Sequence, residues 1–208
     1  MWHKDATEFK EANGHEINGI WYPRVTKILD VKAKPALENF FREMESFAAA
    51  DEVKNKSAVE GTLVHEAVQG LLTGQAVSVS DAIKPAVDGF SEFNVKRNII
   101  FHKEYVERKI ISQRYRYAGT VDALATVDGK FGVLDIKTSA GFYPEYNLQT
   151  AAYVMALQEF SVKRELALPR DIETRWILRI NQHRICRACG ATMREKGGRI
   201  KVKNSRSK

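Results

Sequence analysis

The segment Tyr117-Ala-Gly-Thr-Val-Asp122, followed after a short turn by Val133-Leu-Asp135-Ile-Lys137-Thr138, sets two carboxylates and one amine in apolar sequence. Asp128-Gly129 between them suits a two-residue hairpin, whose turn needs positive φ at both central positions. In such a hairpin Asp122 and Asp135 approach each other across the ladder. Asp135 and Lys137 are two apart, so their side chains share a face. Unpaired charges in that setting are costly, and a divalent cation shared by the acids answers the cost. A surface ion pair explains Asp135 and Lys137, and a turn explains Asp122, if each is taken alone. Neither explains the set.

The elements that must position these residues follow from periodicity. Residues 8–21 contain Asn13-Gly14 and Asn18-Gly19 and suggest a small hairpin. Residues 25–31 read as a short helix. Residues 35–50 read as a longer one, with Pro35 in its first turn and Leu37, Phe40, Phe41, Met44 and Phe47 spaced for one face. A helix over 57–72 is expected to start at a Ser57/Glu60 capping box and to stop at Gly74. Another is expected over 80–97. The period then changes to that of strands over 99–112, 115–127 and 131–137. A helix over 144–160 and a core strand over 174–180 complete the series. The order predicts an α/β (α+β) fold with a mixed central sheet flanked by helices and a helical N-terminal half.

These motifs, in this order, resemble the PD-(D/E)XK nuclease superfamily, in particular its RecB-like branch of phage and mitochondrial-type exonucleases. Gly61-Thr-Leu-Val-His65 matches the helical histidine of that branch. Gly119-Thr-Val-Asp122 matches its Gly-x-x-Asp strand, and Asp135-Ile-Lys137 its Asp-x-Lys strand. Gln149-Thr-Ala-Ala-Tyr153 matches the helix that follows. Tyr22-Pro-Arg-Val-Thr-Lys-Ile-Leu29 and Lys34-Pro-Ala-Leu37 also look like the start of such exonucleases. The resemblance spans residues 22–179. It implies a restriction-endonuclease-like core and metal-dependent hydrolysis of phosphodiester bonds.

By that resemblance Asp122 and Asp135 hold one or two Mg²⁺ or Mn²⁺ ions, and the carbonyl of Ile136 adds a ligand. Lys137 would orient the attacking water, lower its pKa or stabilise the transition state. His65 would be a further metal or active-site group, and imidazole favours Mn²⁺ over Mg²⁺. One more acid is expected on the strand before Asp122. Glu104 and Glu107 both qualify, and Glu107, followed by Arg-Lys-Ile, fits the family's acid-then-apolar pattern better. Gln149 and Tyr153, four apart on a helix, share a face and would orient Lys137 or touch a phosphate; Tyr146 lies on the same side. Thr138 and Ser139 offer hydroxyls to a phosphate or simply form a loop and cap.

Bulk properties bound the rest. With 208 residues, 44% hydrophobic and 28% charged, the chain suits one soluble domain over 1–180, followed by an extension over 181–208 whose end is expected to be disordered. No apolar run reaches a membrane span, and no secretion leader is seen, so an intracellular, cytoplasmic location is expected, in a bacterium or a phage-infected cell. The net charge is +7, yet residues 161–208 carry 14 Lys or Arg against 4 Asp or Glu. A basic end on a mildly acidic body suggests a polyanion, here DNA ends or single strands held without sequence preference. His183, Cys186 and Cys189 offer three zinc ligands, one short of a closed structural site. The readings that compete with an exonuclease are a structure-selective or restriction-like endonuclease, a non-catalytic nucleic-acid-binding module and a zinc-ribbon adaptor.

Overall fold

The computed structural model describes residues 3–180 and 183–204. In chain order the elements are α1 (Ala6–Asn13), β1 (Gly14–Ile17), β2 (Ile20–Pro23), α2 (Val25–Leu29), α3 (Pro35–Arg42), α4 (Phe47–Thr73) and α5 (Lys84–Arg97). Then come β3 (Ile100–His102), a 3-10 turn (Lys103–Tyr105), β4 (Arg108–Ser112), β5 (Tyr117–Val121), β6 (Ala123–Val127), β7 (Lys130–Lys137), α6 (Pro144–Leu157), α7 (Phe160–Leu166) and β8 (Thr174–Arg179). The strands β9 (His183–Ile185), β10 (Thr192–Lys196) and β11 (Arg199–Lys203) follow. The fold is mixed α and β, with seven α-helices among the described residues.

Contacts divide the chain into two compact units. The first comprises 1–33, 99–135 and 142–178; the second comprises 34–98, 136–141 and 179–208. This partition differs from the expected domain over 1–180 with a separate extension. Residues 183–203 form the sheet β11-β10-β9 and pack with α4 and α5. Residues 205–208, expected to be disordered, lie outside the described residues.

In the first unit the four-stranded sheet has the order β3-β6-β7-β8. The pairs β3–β6 and β6–β7 are antiparallel. Glu173 N–H donates to Phe131 O (2.9 Å) near the start of β7. Ile180 N–H donates to Lys137 O (2.8 Å) at its end, so β8 runs parallel to β7 and the sheet is mixed. The expected Asp128-Gly129 turn is present, with φ of +51° and +78°, and it fixes the register Val127↔Lys130 through Ala123↔Leu134. A core of Val25, Tyr117, Val121, Leu124, Phe131, Val133, Tyr153 and Leu157 joins the strands to α2 and α6.

Several expected elements are cut differently. The N-terminal hairpin spans 14–23 around Asn18-Gly19, whereas residues 6–13 are helical, because Asp5 caps the N–H groups of Thr7 and Glu8. The helix expected over 35–50 breaks after Arg42. Ser46 accepts the Ala49 N–H (3.1 Å) and starts α4, so Ser57 is an interior residue and not a cap. Gly74 ends α4 in the left-handed conformation as expected. α5 begins at Lys84, after a turn. The strands expected over 99–112 and 115–127 are each broken, the first at 103–107 and the second at Asp122.

Gly132 allows β8 to lie close to β7. A Cβ there would sit 2.1 Å from Thr174 O and 2.9 Å from the Trp176 ring. Carbonyl and strand cannot yield without opening the ladder. Gly132→Ala is therefore expected to lower stability by about 2 kcal/mol, a loss of roughly 4–8 °C in Tm for a chain of this size. Thermal denaturation followed by circular dichroism checks it.

Candidate active site

The two broken strands break at the same place. β5 pairs with β4 in its own two-stranded sheet, while β6 pairs with β3 and β7. The chain changes sheets at Asp122. On the partner side it changes sheets through the 3-10 turn and Glu107, whose φ is +50°. A non-glycine residue in that conformation is strained, and such strain concentrates at functional sites. Glu107 N–H donates to Asp122 O (3.0 Å), which locks the two corners together. The side chains then meet, with carboxylate oxygens of Glu107 and Asp122 within 4.8 Å. Glu104, in the 3-10 turn, is exposed. Glu107 is thus the better of the two acids, through a turn and not through the strand alternation that a regular element would have.

Asp135 is supplied by β7. The last ladder pair is Ala123↔Leu134, so Asp122 and Asp135 lie one step beyond it on opposite strands. Asp135 is fully buried, while Asp122 and Glu107 are half-buried. Burial, reinforced by the Asp122 charge, raises the Glu107 carboxyl from 4.5 to about 7. Hard oxygen donors gathered in this way suit Mg²⁺ or Mn²⁺, whose charge would relieve the repulsion among them.

Gln149 and Tyr153 are buried on α6 in the same unit. Gln149 Nε2 lies 2.8 Å from the Tyr153 hydroxyl. Burial raises the Tyr153 phenol far above its ordinary value; the Gln149 bond opposes this, and Asp135, Asp122 and Glu107 add to it. The tyrosine therefore feels all three carboxylates. Gly119 makes room for it, since a Cβ there would lie 2.4 Å from Tyr153 Cε1. That close approach is the physical content of the Gly-x-x-Asp spacing. Tyr146 meets Tyr143 edge-on, with ring centroids 5.5 Å apart.

The second unit carries His65, Ile136 and Lys137. His65 is half-buried on α4, one turn after Gly61. A Cβ on Gly61 would lie 2.9 Å from Thr138 Oγ1, so this face of the helix is turned toward the segment over 136–141. Ile136 is buried to 2% exposure, and Lys137, next along β7, is half-buried. The loop after Lys137 is held through its carbonyls. Thr138 O accepts from Lys196 (2.5 Å) and Arg194 (3.4 Å), and Arg179 reaches Ser139 O and Ala140 O (3.4 Å each). Lys196 and Arg194 escaped residue-level assignment in the sequence, where they were only part of a basic end.

Cys186 and Cys189 are exposed free thiols in the turn between β9 and β10. Gly190 N–H donates to Cys186 O (2.9 Å), and Cys186 N–H donates to Ala191 O (2.8 Å). The Cys186 thiol is lowered by the backbone N–H of Cys189, then by the Cys189 thiol and the N–H of Ala188. His183 pairs across the ladder with Arg194. Among the described residues His183, Cys186 and Cys189 do not offer ligand atoms within 4.8 Å of one another, so the expected zinc set is not assembled.

No protein-family model matches the chain, and no curated protein is significantly similar to it.

The raised Glu107 carboxyl has a consequence for stability. Between pH 4.5 and about 7 the folded chain binds more of this proton than the unfolded chain does, so stability falls as pH rises through that window. Glu107→Gln removes the cost. In the presence of a chelator the variant is expected to be more stable than the parent at pH 8, by roughly 1 kcal/mol after allowing for solvent on its open side. The difference should vanish near pH 4.5. Denaturant titrations at the two pH values check both statements.

Proposed function

We propose that the chain is a metal-dependent deoxyribonuclease with a PD-(D/E)XK-type, restriction-endonuclease-like core, acting as an exonuclease on DNA ends or single strands. The observation that carries this reading is the corner where Asp122 and Glu107 meet, one ladder step from the opposing Asp135. Two carboxylates meeting at one corner, with a fully buried third on the facing strand, are a costly use of stability in a protein that merely binds nucleic acid. That cost favours the enzyme over a non-catalytic module.

In this reading Asp122, Asp135 and Glu107 hold Mg²⁺ or Mn²⁺, with His65 and the Ile136 carbonyl as the remaining ligands that the motif calls for. The bound ion would supply charge relief to the phosphate and acidify a water. Lys137 orients that water and offsets charge on the phosphorane oxygens. Its compact ammonium suits the task better than a guanidinium, whose charge is spread over a planar fork. The Gln149–Tyr153 pair fixes the wall of the site and keeps a hydroxyl near the carboxylates. No helix among the described residues is long and apolar enough to cross a membrane. The reading implies an intracellular enzyme of recombination, repair or phage DNA processing.

Asp135→Ala and Lys137→Ala are each expected to reduce hydrolysis by at least about 10²-fold, with DNA binding in chelator retained. The assay uses end-labelled linear and circular single-stranded DNA with Mg²⁺, Mn²⁺ or chelator. Cleavage of the linear form alone supports an exonuclease, and cutting of the circle makes it an endonuclease. Full activity in either variant overturns the mechanism.

A further inference from the structure

The C-terminal hairpin of β10 and β11 gathers its cations on one face. Along β10 and β11 the register pairs Thr192↔Lys203, Arg194↔Lys201 and Lys196↔Arg199. Residues opposite each other, and those two apart, share a face. One face therefore carries Arg194, Lys196, Arg199, Lys201 and Lys203. The other carries Met193, Ile200 and Val202, of which Ile200 and Val202 are 60% and 61% exposed. An antiparallel sheet with one covered face ordinarily turns its apolar side inward. Here Arg194, Lys196 and Arg199 are partly covered, Lys201 and Lys203 on the same face are exposed, and Ile200 and Val202 face out.

The cationic face is one wall of a groove of about 220 Å³, lined by Phe40, Val53, Ser57, Ser139, Arg194, Lys196, Arg199 and Lys201, with Ala140 at its end. All of these belong to the second unit. The wall is held firmly. Gly197, at φ +61°, lies so close to α4 that a Cβ would meet Ser57 Oγ at 2.2 Å, and its N–H bonds both Glu60 oxygens (3.0 and 3.1 Å). Arg199 is fixed over the Phe40 ring, 5.6 Å from its centroid. Lys196 reaches Thr138 O and Oγ1 (2.5 and 2.8 Å), and burial lowers its ammonium to about 8. Of the nearby acids, Glu60 is engaged with the turn at Gly197, and Glu195 points to the opposite face. Like charges placed in register across a ladder repel, Glu60 opposes this only in part at Lys196, and no acid among the described residues lining the groove offsets them. An anionic ligand with charges spaced along a line would.

We propose that this groove binds the phosphodiester backbone of a single nucleic-acid strand and leads it to Lys137. Cations two apart on a strand lie about 7 Å apart, a spacing that follows successive phosphates of an extended chain. The groove ends at Ser139 and Ala140, two and three residues after Lys137. The Ser57 hydroxyl adds an uncharged polar group, the Ser139 hydroxyl being spent on Gly141 O (2.7 Å), and no described group there is set to read a base, so binding is independent of sequence. The strand's destination rests on the nuclease reading, whereas its binding does not.

The test uses the exposed residues Lys201 and Lys203, whose replacement leaves the anchoring contacts of β10 and β11 intact. Polarisation of a fluorescein-labelled oligothymidylate is measured in EDTA across a salt series. Lys201→Gln with Lys203→Gln is expected to weaken binding at least tenfold and to reduce the salt slope by about 1.4, two single-strand phosphate contacts. Arg184→Gln with Arg187→Gln removes the same charge outside the groove face and is expected to change little. Equal losses in the two double variants, or none in the first, overturn the groove. Hydrolysis of the p-nitrophenyl ester of thymidine 5′-monophosphate serves as a separate readout. If the parent hydrolyses the ester and the groove variant does so equally while digesting oligonucleotide poorly, groove and nuclease both stand. If the parent hydrolyses neither substrate, the nuclease reading fails while the binding result still decides the groove.

Discussion

The bond from Glu107 N–H to Asp122 O is the constraint on which the candidate site depends. Two strands leave one sheet for another at the same level, and this bond ties their corners together. Without it Glu107 would have no reason to stay at φ +50°, and its carboxylate would swing toward solvent. The arrangement opposes stability twice, through backbone strain and through the burial, with the Asp122 charge second, that lifts the Glu107 carboxyl. It persists because the hairpin beneath it is over-determined. The Asp128-Gly129 turn sets the register, Phe131 and Val133 are fully buried, and Gly132 lets β8 close against the sheet. A rigid ladder is the condition for carrying a strained acidic corner.

The glycines of two motifs act by absence. Gly119 is flat so that the Tyr153 ring can lie on β5, and Gly61 is flat so that α4 can approach Thr138. In each case the candidate site residue is a few positions away, and the glycine sets how closely two elements pack. A motif read as a string of letters is here a distance between backbones.

What could be read in the sequence follows from the range of the forces involved. Asn18-Gly19, Asp128-Gly129, Gly74 and the face shared by Gln149 and Tyr153 are local, and they appear where local chemistry puts them. The carboxylate hairpin was readable for the same reason. The break at Ser46 was hidden because Ser46 and Ser57 are both competent caps, and only packing chooses between them. The sheet change at Asp122 was hidden because apolar residues flank it on both sides and neither glycine nor proline stands at the break itself. Glu107, and not Glu104, is the acid that lies beside Asp122, and it does so through a left-handed turn that no periodicity records.

The basic C-terminal segment shows the same limit from the other side. Net charge predicted an interaction with polyanions but described the charges as an extension, because alternation of Lys or Arg with Ile or Val reads equally well as a solvated edge. Only the register of β10 with β11 shows that the cations share one face, which lines a groove. Burial of Lys196 against Thr138 then becomes informative, since an ammonium made to lose water beside Arg194 has been placed against its own preference. A surface selected for stability alone would avoid that placement, and it is what makes the β10–β11 face a candidate ligand surface.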